Sequence, residues 1–180
     1  YLVEAHGFSQ DKAGYLASLV FIGWVFGAPI YGWVSDHIGR RNLPMYFANI
    51  STLIVVLWLI YGNNLTFNTV AIGMFLLGFL SSGFLIAFSV TREKNRPEIS
   101  GTAIGFINML NTFSVAFFQL FIGWVLDFVA KDVIITETGA KEFALLDYQK
   151  ALMCIPICVI IAFIVLLKIK ETYCIVKHED

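Results

Sequence analysis

Four stretches of this chain contain no Asp, Glu, Lys or Arg: residues 13–35, 42–91, 99–126 and 151–167. Charge-free runs of this length are hard to reconcile with a soluble fold, which needs charges spread over its whole surface. A bilayer core about 30 Å thick needs roughly 20 residues of apolar helix to cross it. The runs therefore read as membrane-spanning windows. Composition agrees, with 58% hydrophobic and 14% charged residues in 180, where soluble domains carry about 25% charged. A nucleic-acid binder, most soluble enzymes and a disulfide scaffold are thereby excluded. The net charge of −1 marks neither a basic arm nor an acidic tail.

As one helix the window 42–91 would reach about 75 Å, too long for one crossing. It divides at Gly62-Asn63-Asn64, a turn signal. The expected architecture is a single all-α domain, a polytopic transmembrane helix bundle. Its five spans lie near 13–34, 43–61, 69–90, 102–126 and 148–167, followed by a tail at 168–180. Pro156 is expected to kink the fifth span. The segments are too long, and alternate too little, for a strand barrel.

The remaining charges sort by side. Loop 35–42 carries Arg40 and Arg41, loop 91–99 carries Arg92, Lys94 and Arg96, and the tail carries Lys168, Lys170 and Lys177. All three fall on one side of a five-helix count. On the other side, the long segment 127–147 has two lysines against five carboxylates. The positive-inside rule makes the basic side cytoplasmic and places the C-terminus there. An odd count of spans beginning at Tyr1 is expected of a chain lacking one upstream helix.

Between the first two spans stands Gly32-Trp33-Val34-Ser35-Asp36-His37-Ile38-Gly39-Arg40-Arg41. Gly32 permits close approach of another helix, and Gly39 a tight turn between antiparallel helices. Asp36 falls at a helix C-terminus, where the dipole disfavours an anion. It needs a partner, and Arg40 at i+4, Arg41 or a neighbouring helix N-terminus could serve. A charged turn obeying the positive-inside rule would explain a lone Asp and two Arg, but fits the full G-x-x-x-D-x-x-G-R-R spacing less well.

This motif resembles the loop signature of the major facilitator superfamily, secondary transporters built from two six-helix halves. His37 stands where the family usually has Arg or Lys, in keeping with the looser copy in the second half. The resemblance implies alternating-access transport of a small solute. It also implies a latch between halves, made by Gly32, Asp36, Gly39, Arg40 and Arg41, that favours the outward-open state. The uncharged third span, Gly101-Thr102-Ala103-Ile104-Gly105 opening the fourth, and Lys170-Glu171-Thr172 after the fifth resemble helices eight to twelve of such a protein, which the chain is expected to be; in a first half the fifth span would instead run on into a long central loop. Its expected partners are a small-molecule substrate, the lipid bilayer and the missing N-terminal half, with no nucleic acid. A plasma or bacterial inner membrane is the expected location.

In the fourth span Gly101, Gly105, Asn108, Thr112, Gln119 and Gly123 fall within about 40° of one line, with Asn111 beside it. Polar side chains in a membrane face protein or water. Asn108, Asn111, Thr112 and Gln119 are therefore candidate cavity-lining residues, interhelical packing being the other explanation. Ser82 in the third span is a further candidate, although span serines also bond their own backbone. Gly23 and Gly27 form a G-x-x-x-G packing groove in the first span. Trp24 and Phe84 could stack on a ligand.

No titratable Asp, Glu, Lys, Arg or His falls centrally in a span, so a proton relay would need a group elsewhere. His6, His37 and His178 are in loops or tails. Cys154, Cys158 and Cys174 suit small buried hydrophobes, and no metal or cofactor site is expected. Asn64-Leu65-Thr66 is an acceptor sequon in a short turn. There is no phosphate-binding glycine loop and no paired carboxylates or histidines at the spans, so neither an ATP-driven pump nor an enzyme is expected. The alternative to a transporter is a non-transporting membrane subunit or scaffold packing through its Gly/Ser faces.

Overall fold

The computed structural model describes residues 1–4, 6–62, 65–130, 134–135 and 141–175. Seven helices are found among them: α1 (Gln10–Ile38), α2 (Asn42–Tyr61), α3 (Phe67–Ser81), α4 (Ile86–Lys94), α5 (Pro97–Val129), α6 (Leu145–Leu152) and α7 (Cys154–Leu166). A 3₁₀ turn, Ser82–Leu85, joins α3 to α4, and α6 abuts α7, so the seven make five helices long and apolar enough to cross a membrane. The ladder Ile134–Ile135 with Lys141–Glu142 is the one strand pairing among the described residues. Asn64 of the sequon, Lys177 and His178 fall outside them.

Local chemistry sets the helix ends. Gly39 stops α1 in the left-handed conformation at φ 66°, its amide returning to the α1 carbonyls, a conformation that costs a side-chain-bearing residue more. Thr66 caps α3 through its hydroxyl, which accepts the amide of Thr69. Pro97 opens α5 at the position where a missing N–H costs nothing, with Glu98 in the first turn. Pro156 cannot donate to Leu152, and the helix is interrupted at Met153, one turn before it. By contrast α1 stays helical through Pro29.

The core lies between α1, α2, α4 and α7, where Tyr31, Met45, Ala48, Ile86, Val90 and Leu166 pack together. Glycines allow α1 and α3 to touch backbone to backbone. A Cβ on Gly23 would meet Phe75 and Phe79, one on Gly27 would meet Phe79 and Ser82, and one on Gly78 would run into Val20. Close approach through small residues is how helices associate where the hydrophobic effect is absent. A smaller cluster joins Leu126 of α5 to Tyr148 and Ala151 of α6. Otherwise α5 is exposed along most of its length.

Candidate functional site at the basic end of the bundle

The turn 39–41, the end of α4 and the segment after α7 come together at the basic end, around Arg41. Asn42 opens α2, so Arg41 projects from the tight turn into the space between α1 and α4. Its Nε and Nη2 donate to Glu93 Oε1 at 2.9 and 2.6 Å. Its Nη1 donates to Asp36 Oδ1 at 2.5 Å and to Ser35 Oγ at 3.0 Å. The Arg41 and Glu93 side chains are 8% and 2% exposed, whereas Asp36 is 67% exposed. The hub is therefore a buried ion pair carrying a third, largely solvated charge.

A buried pair of this kind is tolerable only when its remaining hydrogen-bonding capacity is met. Glu93 Oε2 accepts the Thr172 hydroxyl at 2.5 Å. Burial opposes the charge on Arg41, but the hydrogen bonds from Glu93 and Asp36 outweigh it and hold the guanidinium pKa above the ordinary arginine value. Ser35, fully buried, donates its hydroxyl to the Arg40 carbonyl at 3.0 Å and so fixes the turn.

Glu171 caps α2 from a distance of 130 residues. Its Oε1 accepts the Arg41 amide at 2.7 Å and its Oε2 the Asn42 amide at 3.0 Å, satisfying donors that no helical carbonyl can reach. Burial raises the Glu171 pKa, but the amides of Arg41, Asn42, Tyr173 and Thr172 overcome this and leave it below the usual carboxylate value. Asn42 Nδ2 donates to the Ile169 carbonyl at 2.7 Å. Tyr173 and Cys174, at φ 54° and 58°, bend the chain back so that the Cys174 thiol reaches the Ser35 carbonyl. The segment after α7 is thus stitched to the α1–α2 turn and to α4.

The structure distributes the five motif residues unevenly. Asp36 pairs with Arg41. The Arg40 side chain is exposed and makes no ion pair among the described residues. The i+4 relation holds only within one continuous helix, and α1 has already ended between Asp36 and Arg40. Gly39 makes the turn, while Gly32 has open space around it, with no described atom near enough to meet a Cβ. Glu93, Glu171 and Thr172 were not among the candidates read from sequence. The available signal was that each carboxylate sits next to basic residues, Glu93 between Arg92 and Lys94 and Glu171 after Lys170, on the same side as Asp36.

The candidate cavity residues fall in two places. Asn108, Asn111, Thr112 and Gln119 are exposed on α5. Thr112 donates to the Asn108 carbonyl at 3.0 Å, and Gly101, Gly105 and Gly123 have open space beside them. Ser82 is fully buried in the seam with α1, its hydroxyl bonding the Phe79 carbonyl at 2.7 Å. Its neighbour Ser81 accepts the Trp24 indole N–H at 2.9 Å, and the Trp24 and Phe84 rings are 5.7 Å apart. No group of three or more metal-ligating side chains occurs among the described residues.

The family model described as Major Facilitator Superfamily matches residues 1–173. The chain is 28% identical over 130 residues to a protein of Escherichia coli (strain K12) named "Probable galactarate/D-glucarate transporter GudP", covering 69% of this chain and 29% of that protein. It is similar to proteins named "Probable hexose phosphate transport protein" from Chlamydia muridarum, at 31% identity, and Chlamydia trachomatis, at 33%. Both alignments run over 138 residues, covering 73% of this chain and 29% of each relative. The chain thus spans under a third of the length of these relatives. No solved structure matches it. The match across nearly the whole chain, with five apolar helices carrying the G-x-x-x-D-x-x-G-R-R turn, establishes that the chain belongs to the major facilitator superfamily.

Proposed function

We propose that this chain forms part of a secondary transporter that moves a small solute across a membrane by alternating access, and that it is a carrier and not an enzyme. The observation that carries this reading is the charge arrangement around Arg41. Its buried pair with Glu93 anchors the turn, while Asp36, held by the same guanidinium, keeps most of its surface free at the end of the bundle. An anion so positioned can dock on the positive N-terminus of a helix, or on a cation, of another six-helix half. That contact would be made in the outward-open state and broken when the basic end opens. The positive-inside rule makes the basic end cytoplasmic.

The relatives' names concern a sugar diacid and a sugar phosphate, so an anionic sugar derivative is the substrate class proposed. Its hydroxyls would meet the amide and hydroxyl stripe of Asn108, Asn111, Thr112 and Gln119. Its charge would be met by groups on the other half, since the five spans hold no central cation. The test is Asp36→Asn in the full-length polypeptide reconstituted in vesicles. Uptake should fall while membrane insertion is kept, and unchanged uptake would remove the latch.

The open glycine stripe on α5 favours a second reading, a non-transporting subunit that packs through this face. Substrate-dependent uptake by the full-length protein separates the two.

A further inference from the structure

Two cavities of opposite character meet at the basic end. One, of about 670 Å³, is walled by α2, the α3–α4 span, α7 and Phe118 of α5. Apart from Asn49, Thr52, Ser81 and Cys158 its lining is apolar. It follows the last span from Ile155 to Ile169, roughly 20 Å of helix rise. That is long enough for a hydrocarbon chain from one leaflet, whose share of the bilayer core is about 15 Å.

The other cavity, of about 800 Å³, is bordered by Lys94 and Arg96 after the third span and by Lys168 and Lys170 after the fifth. Ile169 belongs to both cavities and is their common wall. The two carboxylates in the basic cavity are already engaged, Glu93 by Arg41 and Thr172, and Glu171 by the amides of Arg41, Asn42 and Thr172. The four cations are exposed, and none is ion-paired among the described residues. A free phosphate would use the basic cavity alone. Only an amphipathic anion uses both, and the ends of membrane spans are where phospholipid headgroups lie.

We infer that the two cavities form one site for an anionic phospholipid, with its phosphate headgroup among Lys94, Arg96, Lys168 and Lys170 and an acyl chain running past Ile169 between α2, α4 and α7. The site requires that the chain spans a membrane and that both cavities stay open in the full-length protein; it borders the Glu93–Arg41 anchor but does not rest on the latch reading or on the substrate.

The test is native mass spectrometry of the purified full-length polypeptide, titrated with phosphatidylglycerol and with phosphatidylcholine of identical acyl chains. Phosphatidylglycerol should be retained at least about tenfold better, since each basic residue near an anionic headgroup is worth about fivefold. K94Q/R96Q/K168Q/K170Q should bring the two lipids to parity. The double variant K168Q/K170Q, confined to exposed positions after α7, should lose part of the preference even if the quadruple variant folds poorly. Charge-preserving K94R/K168R/K170R should keep it. Ala162→Trp, which fills the apolar cavity, should weaken retention of both lipids. Equal retention of the two lipids by the unaltered protein, or a preference that survives the quadruple substitution, overturns the site. Complete displacement of phosphatidylglycerol by inorganic phosphate, or no effect of Ala162→Trp, also overturns it and assigns the basic cavity to a free anion.

Discussion

Replacing Glu93 with Gln removes one charge from the most buried ion pair in the described structure, and the size of the effect follows from the burial of its partners. Arg41 is 8% exposed and Glu93 2%. Removing one member of such a pair leaves the other charge without its counter-ion in a place water hardly reaches, at about 3–5 kcal/mol. Here Arg41 retains Asp36 and Ser35, and the new amide oxygen can still accept one hydrogen bond. The lower end, about 3 kcal/mol, is therefore expected. Asp36→Asn removes a charge from the same guanidinium, but its side chain is 67% exposed. Solvent screening limits an ion pair of that kind to about 1 kcal/mol or less. The thermal unfolding midpoint of the full-length protein in detergent should thus fall several times further for E93Q than for D36N. Because both act through Arg41, the double variant should also be non-additive, by about 0.5–3 kcal/mol. Equal midpoint shifts for the two single variants, or strict additivity, would refute the picture of a buried anchor with a solvated arm.

Three other outcomes follow from the same geometry. Gly78→Val should drive α1 away from α3, since a Cβ there meets the Val20 backbone; folded yield and midpoint should drop sharply, whereas Gly105→Ala, with open space beside it, should hold the midpoint or raise it, adding about 0.5 kcal/mol of stability. The Glu171 carboxylate, whose pKa backbone amides hold below the ordinary carboxylate value in the folded protein, should stabilise docking of the segment after α7 at all pH values above that ordinary value. That contribution is lost as pH falls through the lowered value. Amide exchange at Arg41 and Asn42 reads it, and the pH dependence should vanish in E171Q. On α5, Asn108→Ala and Gln119→Ala should weaken substrate affinity in an uptake assay without shifting the midpoint, because the described structure gives neither side chain a partner to lose.

The two kinds of information divide at particular residues. Five helices were legible because an uncharged window of bilayer length has few other ways to satisfy its backbone, and the glycine ladder Gly23–Gly27 was legible as a packing groove because i, i+4 spacing puts both on one face. The partner of Asp36 was legible only as a choice among Arg40, Arg41 and a neighbouring helix N-terminus; Gly39 ends the helix before Arg40 and hands the role to Arg41. For Ser82 the sequence left open a cavity-facing role or a bond to its own backbone; the packing of α1 buries it and its hydroxyl bonds the Phe79 carbonyl.

By itself the sequence determined what can be summed along a chain: the apolar windows, the side on which each charge falls, and the turn that ends α1. Only the tertiary structure decided which charges meet. Arg41 finds Glu93 across 52 positions, and its amide finds Glu171 across 130. The physical reason is that such pairs are selected by burial. An arginine enclosed between helices must have its donors met by whatever acceptor the packing brings within 3 Å, and no periodicity in the sequence encodes that meeting.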